Sequence, residues 1–294
     1  MFKSFSFRWQ EIGMLSEIFC FPVKSCGPLK LSESNCSQIG LEFGPIGDRV
    51  FMVTRLDYEY VTARTYPKMV LIRPSIEGTL ITLTAPEMEE ITIDVAKLYD
   101  LKRFSIENWF QESVDVVDAG DEIAEWMSQY VIGQHKGLRV VFYPSKEPKA
   151  KCKPRDRPFK PAESTDQGAL QDETSFMLVN QGSVDDLKFK LGFHINAQRF
   201  RPNFVVVGPE AWQEDNWSFI KIGDETIFEK VQPCTRCVFT NIDPESGERN
   251  AEVLKTLKAT RTLKEAGPSP VFGIQLGVRR KGVVVKGDKI YIGK

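Results

Sequence analysis

The stretch Ile227-Phe-Glu-Lys-Val-Gln-Pro-Cys234-Thr-Arg236-Cys237-Val-Phe-Thr-Asn241 sets a C-x-x-C between two short runs of β-branched and aromatic residues. Such runs read as strands, here 227–231 and 238–241. A dithiol redox motif ordinarily opens a helix in an α/β unit, so strands on both sides of the cysteines speak for a β-rich fold. Outward from this stretch the same texture continues. Strands are expected at 18–23, 49–54, 70–72, 79–84, 91–95 and 138–142, then at 176–179, 203–207, 271–276 and 283–292. Within 121–131, Ile123, Trp126, Met127 and Tyr130 recur at three- and four-residue spacing and predict an amphipathic helix. Further helical stretches are expected near 183–190 and 251–264. The whole is an α+β, β-rich chain with barrel-like character and no internal repeat.

Between 146 and 161 the texture changes. Lys146, Lys149, Lys151, Lys153, Arg155, Arg157 and Lys160 alternate with four prolines, a composition unable to bury itself. It divides the chain into 14–145 and 165–294 and reads as a solvated connection, or as a basic strip for an acidic partner or phosphate. The 294 residues carry 39 Lys+Arg against 40 Asp+Glu, so no large basic face for a nucleic acid duplex is expected. Six irregularly spaced cysteines suit reduced thiols better than a disulfide scaffold. No apolar run approaches the roughly 18 residues that span a bilayer. Residues 1–10 read as an untidy tail, and 1–20 are too polar to anchor the chain in a membrane.

The C-x-x-C is not a zinc site on its face, since tetrahedral zinc wants four ligands and the chain offers no second C-x-x-C and only two histidines. Its spacing also suits two small buried residues. Arg236 between the thiols favours a thiolate. A single thiolate with no other soft ligand nearby suits a metal delivered by a larger cofactor. Other clusters stand at strand ends: Pro22-Val-Lys24-Ser25-Cys26, Gly47-Asp48-Arg49, Asp172-Glu-Thr174-Ser175 and Phe200-Arg201-Pro-Asn203. Arginine forks at such positions suit phosphate and fused-ring amide edges. Phosphate-loop, dinucleotide and serine-elbow motifs are absent from the sequence.

Taken in order with Val61-Thr-Ala-Arg64 and Asp243-Pro-Glu-Ser-Gly247, these motifs resemble the MOSC-domain proteins that carry a MOSC N-terminal β-barrel region, the amidoxime-reducing components among them. The resemblance implies a MOSC-type β-barrel packed against an N-terminal MOSC-associated β-barrel/α-β region. It implies a molybdenum cofactor whose metal is held by Cys237, the catalytic residue, with Cys234 in a packing role beside it. Carried over by position, Lys24, Ser25, Arg49, Thr174, Ser175, Arg201, Asn203, Thr235 and Arg236 would hold the pterin or its phosphate. Where the family pattern has a tyrosine, this chain reads Gln275. The implied reaction is reduction of amidoximes and hydroxylamines, with Asp243 a candidate proton carrier because it follows the ligand strand. Electrons would come from cytochrome b5 and its NADH-dependent reductase, greeted by the basic strip. Location would be at the mitochondrial outer membrane or in the cytoplasm. A sulfur-carrying or cofactor-maturation role for Cys237, or a silent barrel scaffold, would leave the same motifs.

Overall fold

The computed structural model describes residues 7–107, 112–149 and 164–294. Strand outweighs helix by 40% to 21%, and the expected β-rich class holds.

Seven strands close a barrel. They are β1 (Trp9–Cys20), β2 (Phe176–Asn180), β3 (Phe204–Val207), β4 (Phe219–Ile222), β5 (Thr226–Thr235), β6 (Val271–Arg280) and β7 (Lys289–Gly293). Around the ring the order is β3-β2-β6-β5-β4-β7-β1, and β1 returns to β3 through Leu15↔Val206 and Ile18↔Phe204. Every neighbouring pair is antiparallel except β2 and β3. A parallel pair needs a crossover, and the helix Gln181–Leu191 lies between them in the chain. Alternation decides which side chains fill the barrel. Phe176, Leu178, Phe204, Val206, Ile274 and Leu276 share one buried cluster, whereas the intervening Met177, Val179 and Val205, with Phe272 on the far side of the positive-φ Gly273, join a second with Val184, Leu187, Val253 and Leu257. The second cluster is the outer layer, under the helices Gln181–Leu191 and Glu252–Thr260. Phe176, Phe204 and Phe228 meet inside with ring centroids 5.1–5.7 Å apart. At Gly273 the backbone takes φ +72°, and a Cβ there would come within 2.5 Å of the Leu178 carbonyl oxygen, so β2 and β6 approach as they do only around glycine.

The N-terminal region builds its own core on an antiparallel sheet of Phe104–Glu107, Ser113–Asp118, Leu138–Phe142 and Phe51–Arg55. The expected amphipathic helix forms as Asp121–Ile132, with Ile123, Trp126, Met127 and Tyr130 all buried and Gly133 closing it in the left-handed conformation. A second sheet joins Arg73–Glu77, Leu80–Thr84 and Ile91–Asp94. The sequence divides near 146–161, but three strand pairings cross that division. β1 pairs with β3 and with β7 and so completes the C-terminal barrel, and Glu33–Ser37 pairs with Gly282–Val285.

Several local expectations shift. The strand predicted at 70–72 is a 3-10 turn, Pro67–Leu71, begun by a proline at its first position. The strand predicted at 238–241 is likewise a 3-10 turn, Val238–Asn241, in which the Thr240 N–H reaches back to the Cys237 carbonyl. Three- and four-residue apolar runs carry too little period to separate strand from turn. Trp9 and Gln10, read as tail, begin β1, and the run 283–292 divides at a turn into two strands. Lys146 pairs with Glu42 at 3.3 Å, and Lys149 is 5% exposed with its ammonium on the Gln171 carbonyl, so Lys149 is no part of an exposed strip. Lys151, Lys153, Arg155, Arg157 and Lys160 lie outside the described residues.

Truncating Phe228 to Ala removes one of the three rings that fill the barrel and is expected to lower stability by about 3–5 kcal/mol in denaturant unfolding.

Candidate cofactor site

Five separated stretches bring their ends to one cleft of about 470 Å³. They are the turn after β1 (Lys24, Ser25), the entry to Phe51–Arg55 (Arg49), the strap before β2 (Leu170–Thr174), the turn before β3 (Phe200, Arg201, Asn203) and the end of β5 (Cys234–Cys237). The backbone is bent hard to achieve this. Ser25, Arg49 and Arg201 all adopt left-handed φ values of 71°, 51° and 55°. For residues with side chains that conformation costs on the order of 1–3 kcal/mol each and persists only where surroundings enforce it. The enforcement is visible. Arg49 N–H donates to the Phe21 carbonyl at 2.8 Å, Lys24 N–H to the Phe51 carbonyl at 2.8 Å, and Arg201 N–H to the Gln198 carbonyl at 2.8 Å. The Asp48 carboxylate, without exposed surface, accepts the Phe21 N–H at 2.8 Å and the Arg49 guanidinium.

Charge is the cleft's strongest feature. Lys24, Arg49, Arg64, Arg199, Arg201 and Arg236 line it, against Asp172 and Glu173. The guanidinium carbons of Arg49 and Arg201 lie 4.4 and 4.2 Å from the centroid of the Phe21 ring. Arg49 donates to the Arg201 carbonyl at 2.9 Å, and Arg201 donates through Nη1 to the Cys26 carbonyl at 2.5 Å. The other terminal nitrogen of Arg201, Nη2, is buried with no hydrogen-bond partner among the described residues. Burial, and after it the like charge of Arg49, pull the Arg201 guanidinium down to about 9. Lys24 donates to the Leu170 carbonyl at 2.9 Å and to Asp172 at 2.5 Å. The Asp172 carboxyl is half exposed at the cleft wall; desolvation there raises it, but Lys24, Lys149 and Arg64 outweigh that and hold the group below the ordinary carboxylate value.

The remaining expected residues divide. Thr174 lines the cleft and donates to Gln275 Oε1 at 2.6 Å, and Gln275 Nε2 donates to Cys234 Sγ at 3.1 Å. Asn203 lines it too, with its side chain tying Met177 N–H at 3.1 Å and the Phe19 carbonyl at 3.2 Å. Thr235 sits at the end of β5 in the lining. Arg236 turns its guanidinium to the carbonyls of Phe200 at 2.9 Å and Phe272 at 2.6 Å, whose rings stack with centroids 3.8 Å apart. Ser175 is not in the lining; its hydroxyl meets the carbonyls of Gln38 and Asp166, at 2.5 and 3.0 Å, and holds the strap.

The two thiols differ sharply. Cys234 is 5% exposed, and its thiol is raised by burial, an effect that Arg236 opposes. Cys237 is exposed at the cleft mouth, the one such cysteine among the described residues. Asp243, the candidate proton carrier of the sequence, is set apart from the cleft. It is outside the lining, its Oδ1 accepts the N–H groups of Glu245 and Ser246, and its Oδ2 accepts Arg199 at 2.5 Å. Among the described residues no group of three or more His, Cys, Asp or Glu could hold a metal ion. Sequence reasoning assigned no role to Thr62, Arg64, Gln171 or Asp172, all in the lining. Thr62, Arg64 and Asp172 stood in quoted motifs, but nothing local shows a buried Gln171 whose amide donates to the carbonyls of Ile39 and Asp48.

Residues 12–134 match the family described as MOSC N-terminal beta barrel domain, and residues 165–291 the MOSC domain. The chain is 33% identical over 287 residues to the mitochondrial amidoxime-reducing component 1 of Danio rerio, with 96% of this chain and 85% of the relative covered. It is 32% identical to component 2 of Rattus norvegicus and 30% identical to component 1 of Homo sapiens, each over 96% of this chain and 84% of the relative.

Treatment of the cofactor-free protein with iodoacetamide at neutral pH, followed by peptide mapping, is expected to label Cys237 and to spare Cys20, Cys26, Cys36 and Cys234, whose thiols burial raises.

Proposed function

Because the chain belongs to the family built from a MOSC N-terminal beta barrel domain and a MOSC domain, we propose that its cleft holds a molybdenum cofactor on Cys237 and that the protein reduces N-hydroxylated compounds. The observation that carries this reading is the pairing of one exposed thiol with a buried, unpartnered guanidinium nitrogen on Arg201. These two ends call for a ligand with a soft, metal-bearing end and an anionic end. The residues fit such a group. Six cations face two carboxylates, and the cleft's volume admits a pterin with one phosphate.

Under this reading Arg49, Arg201, Lys24 and Ser25 hold the phosphate. Thr174, Thr235 and Asn203 would border the ring system. Arg236 acts at one remove, by fixing the Phe200 and Phe272 carbonyls. When bound, the cofactor supplies a metal centre able to exchange two electrons with the substrate. The net reaction takes an N–OH group, two electrons and two protons to N–H and water. Asp243 lies outside the cleft lining with both oxygens engaged, and protons are proposed to come from water at the exposed mouth beside Cys237. Amidoximes and hydroxylamines are the proposed substrates, because the closely similar relatives bear the name amidoxime-reducing component. Electrons are proposed to come from a separate protein, cytochrome b5 with its NADH-dependent reductase. The relatives' names are mitochondrial, and the location proposed for this chain is the mitochondrial outer membrane or the cytoplasm. Among the described residues no helix is long and apolar enough to cross a membrane.

Elemental analysis of protein from a cofactor-competent host is expected to give one molybdenum per chain, with benzamidoxime reduced by an artificial electron donor. Cys237→Ala should lose both metal and activity, whereas Arg201→Ala should weaken cofactor retention by about 10–100-fold. Absent molybdenum with persulfide sulfur on Cys237 would replace this reading by a sulfur-carrier role.

A further inference from the structure

The turn Asp243-Pro-Glu-Ser-Gly247 lies outside the cleft lining, yet it is tied to the cleft from two directions. Internally it is rigid. Asp243 Oδ1 accepts Glu245 N–H at 2.8 Å and Ser246 N–H at 3.1 Å, and Gly247 N–H donates to the Asp243 carbonyl at 2.9 Å with φ +73° at the glycine.

From the barrel side comes Arg199, 3% exposed. It donates through Nη2 to Asp243 Oδ2 at 2.5 Å and through Nη1 to the Thr240 carbonyl at 3.3 Å. Thr240 in turn donates to the Cys237 carbonyl twice, from its N–H at 3.1 Å and its hydroxyl at 2.9 Å. From the N-terminal region comes Arg73, donating through Nη2 to the Pro244 carbonyl at 2.6 Å and through Nη1 to the Val70 carbonyl. Arg249, just past the turn, donates to the Arg64 carbonyl. Burial lowers both Arg73 and Arg199, so neither cation is free to leave its acceptors without a desolvation penalty. A continuous chain of bonds therefore runs from Cys237 through Thr240, Arg199 and Asp243 to Pro244 and Arg73.

We propose that this turn is a two-sided clasp, with Arg73 and Arg199 as positioning residues that set the backbone of Cys237 for metal ligation. The N-terminal region thereby takes part in holding the metal through Arg73, without contacting it. The inference rests on the reading of Cys237 as the molybdenum ligand, and it gives the Asp243 motif a positioning role in place of a proton-carrying one.

The test compares the parent with Arg73→Met, Arg73→Lys and Asp243→Asn, the last keeping an acceptor for the turn. Phe228→Ala serves as a variant destabilised elsewhere. Each is made with cofactor and, from a cofactor-deficient host, without it. Three quantities are read: molybdenum retained after dialysis, the iodoacetamide labelling rate of Cys237 in cofactor-free protein, and the thermal midpoint. Arg73→Met and Asp243→Asn are expected to lower molybdenum retention by about tenfold and to raise Cys237 labelling, Arg73→Lys to fall between, and Phe228→Ala to move the midpoint alone. The clasp is overturned if Arg73→Met leaves labelling and retention at parental values, or if Phe228→Ala changes them equally. A parent without molybdenum would instead remove the functional reading, and Cys237 labelling would then decide the clasp by itself.

Discussion

Two guanidinium groups, those of Arg49 and Arg201, are pressed against one phenyl ring, and the rest of the site is arranged around their mutual repulsion. Among the described residues one carboxylate, the buried Asp48, is joined to either of them; the other acceptors are carbonyls. A hydrogen bond contributes about 0.5–1.5 kcal/mol net, or about 1.5–3 when one partner is charged. Removing a cation from water costs several kcal/mol even after relaxation. Carbonyl acceptors therefore do not fully offset the burial of two adjacent cations. The deficit is largest at the unpartnered nitrogen of Arg201, and an anion entering the cleft would remove it. Left-handed backbone at Arg49, Arg201 and Ser25 adds to what the scaffold must hold in place.

The scaffold manages this by closing a barrel. Because β1 returns to β3, the turn that follows β1 and the turn that precedes β3 are held side by side, and they carry Lys24–Ser25 and Arg201. The register irregularities of β5 against β6, near Lys230 and Pro233, re-aim the last residues of β5 toward the same point. The strap is pinned at its start by the buried Asp166, whose carboxylate takes both arms of Arg279 at 2.5 and 3.0 Å. It is pinned at its end by Ser175 and by β2. Side-chain charge, strand closure and strap thus serve one arrangement, in which the exposed Cys237 and the cationic side chains line one cleft.

The elements legible in advance were those whose period is local. The helix Asp121–Ile132 announced itself through four apolar residues on one face, and Leu138–Phe142 through an unbroken apolar run. The 3-10 turns at Pro67–Leu71 and Val238–Asn241 did not, since runs so short fit strand and turn alike. For the second there is a tertiary reason as well. Val238 is 54% exposed beside Cys237, so core burial does not account for its apolar character.

By itself the sequence determined the strand and helix texture, the thiol beside an arginine, and an ordered set of motifs whose residue types suit a phosphate and a soft metal. Those are properties of residues and their spacing, which the chain carries whether folded or not. Only the tertiary structure decided that β1 belongs to the C-terminal barrel, that Cys237 faces outward while Cys234 is buried, and that Ser175 and Asp243 are consumed as ties. Burial and partner choice depend on which distant segments meet. No local pattern could have shown Arg73 and Arg199, well over a hundred residues apart, gripping the same turn.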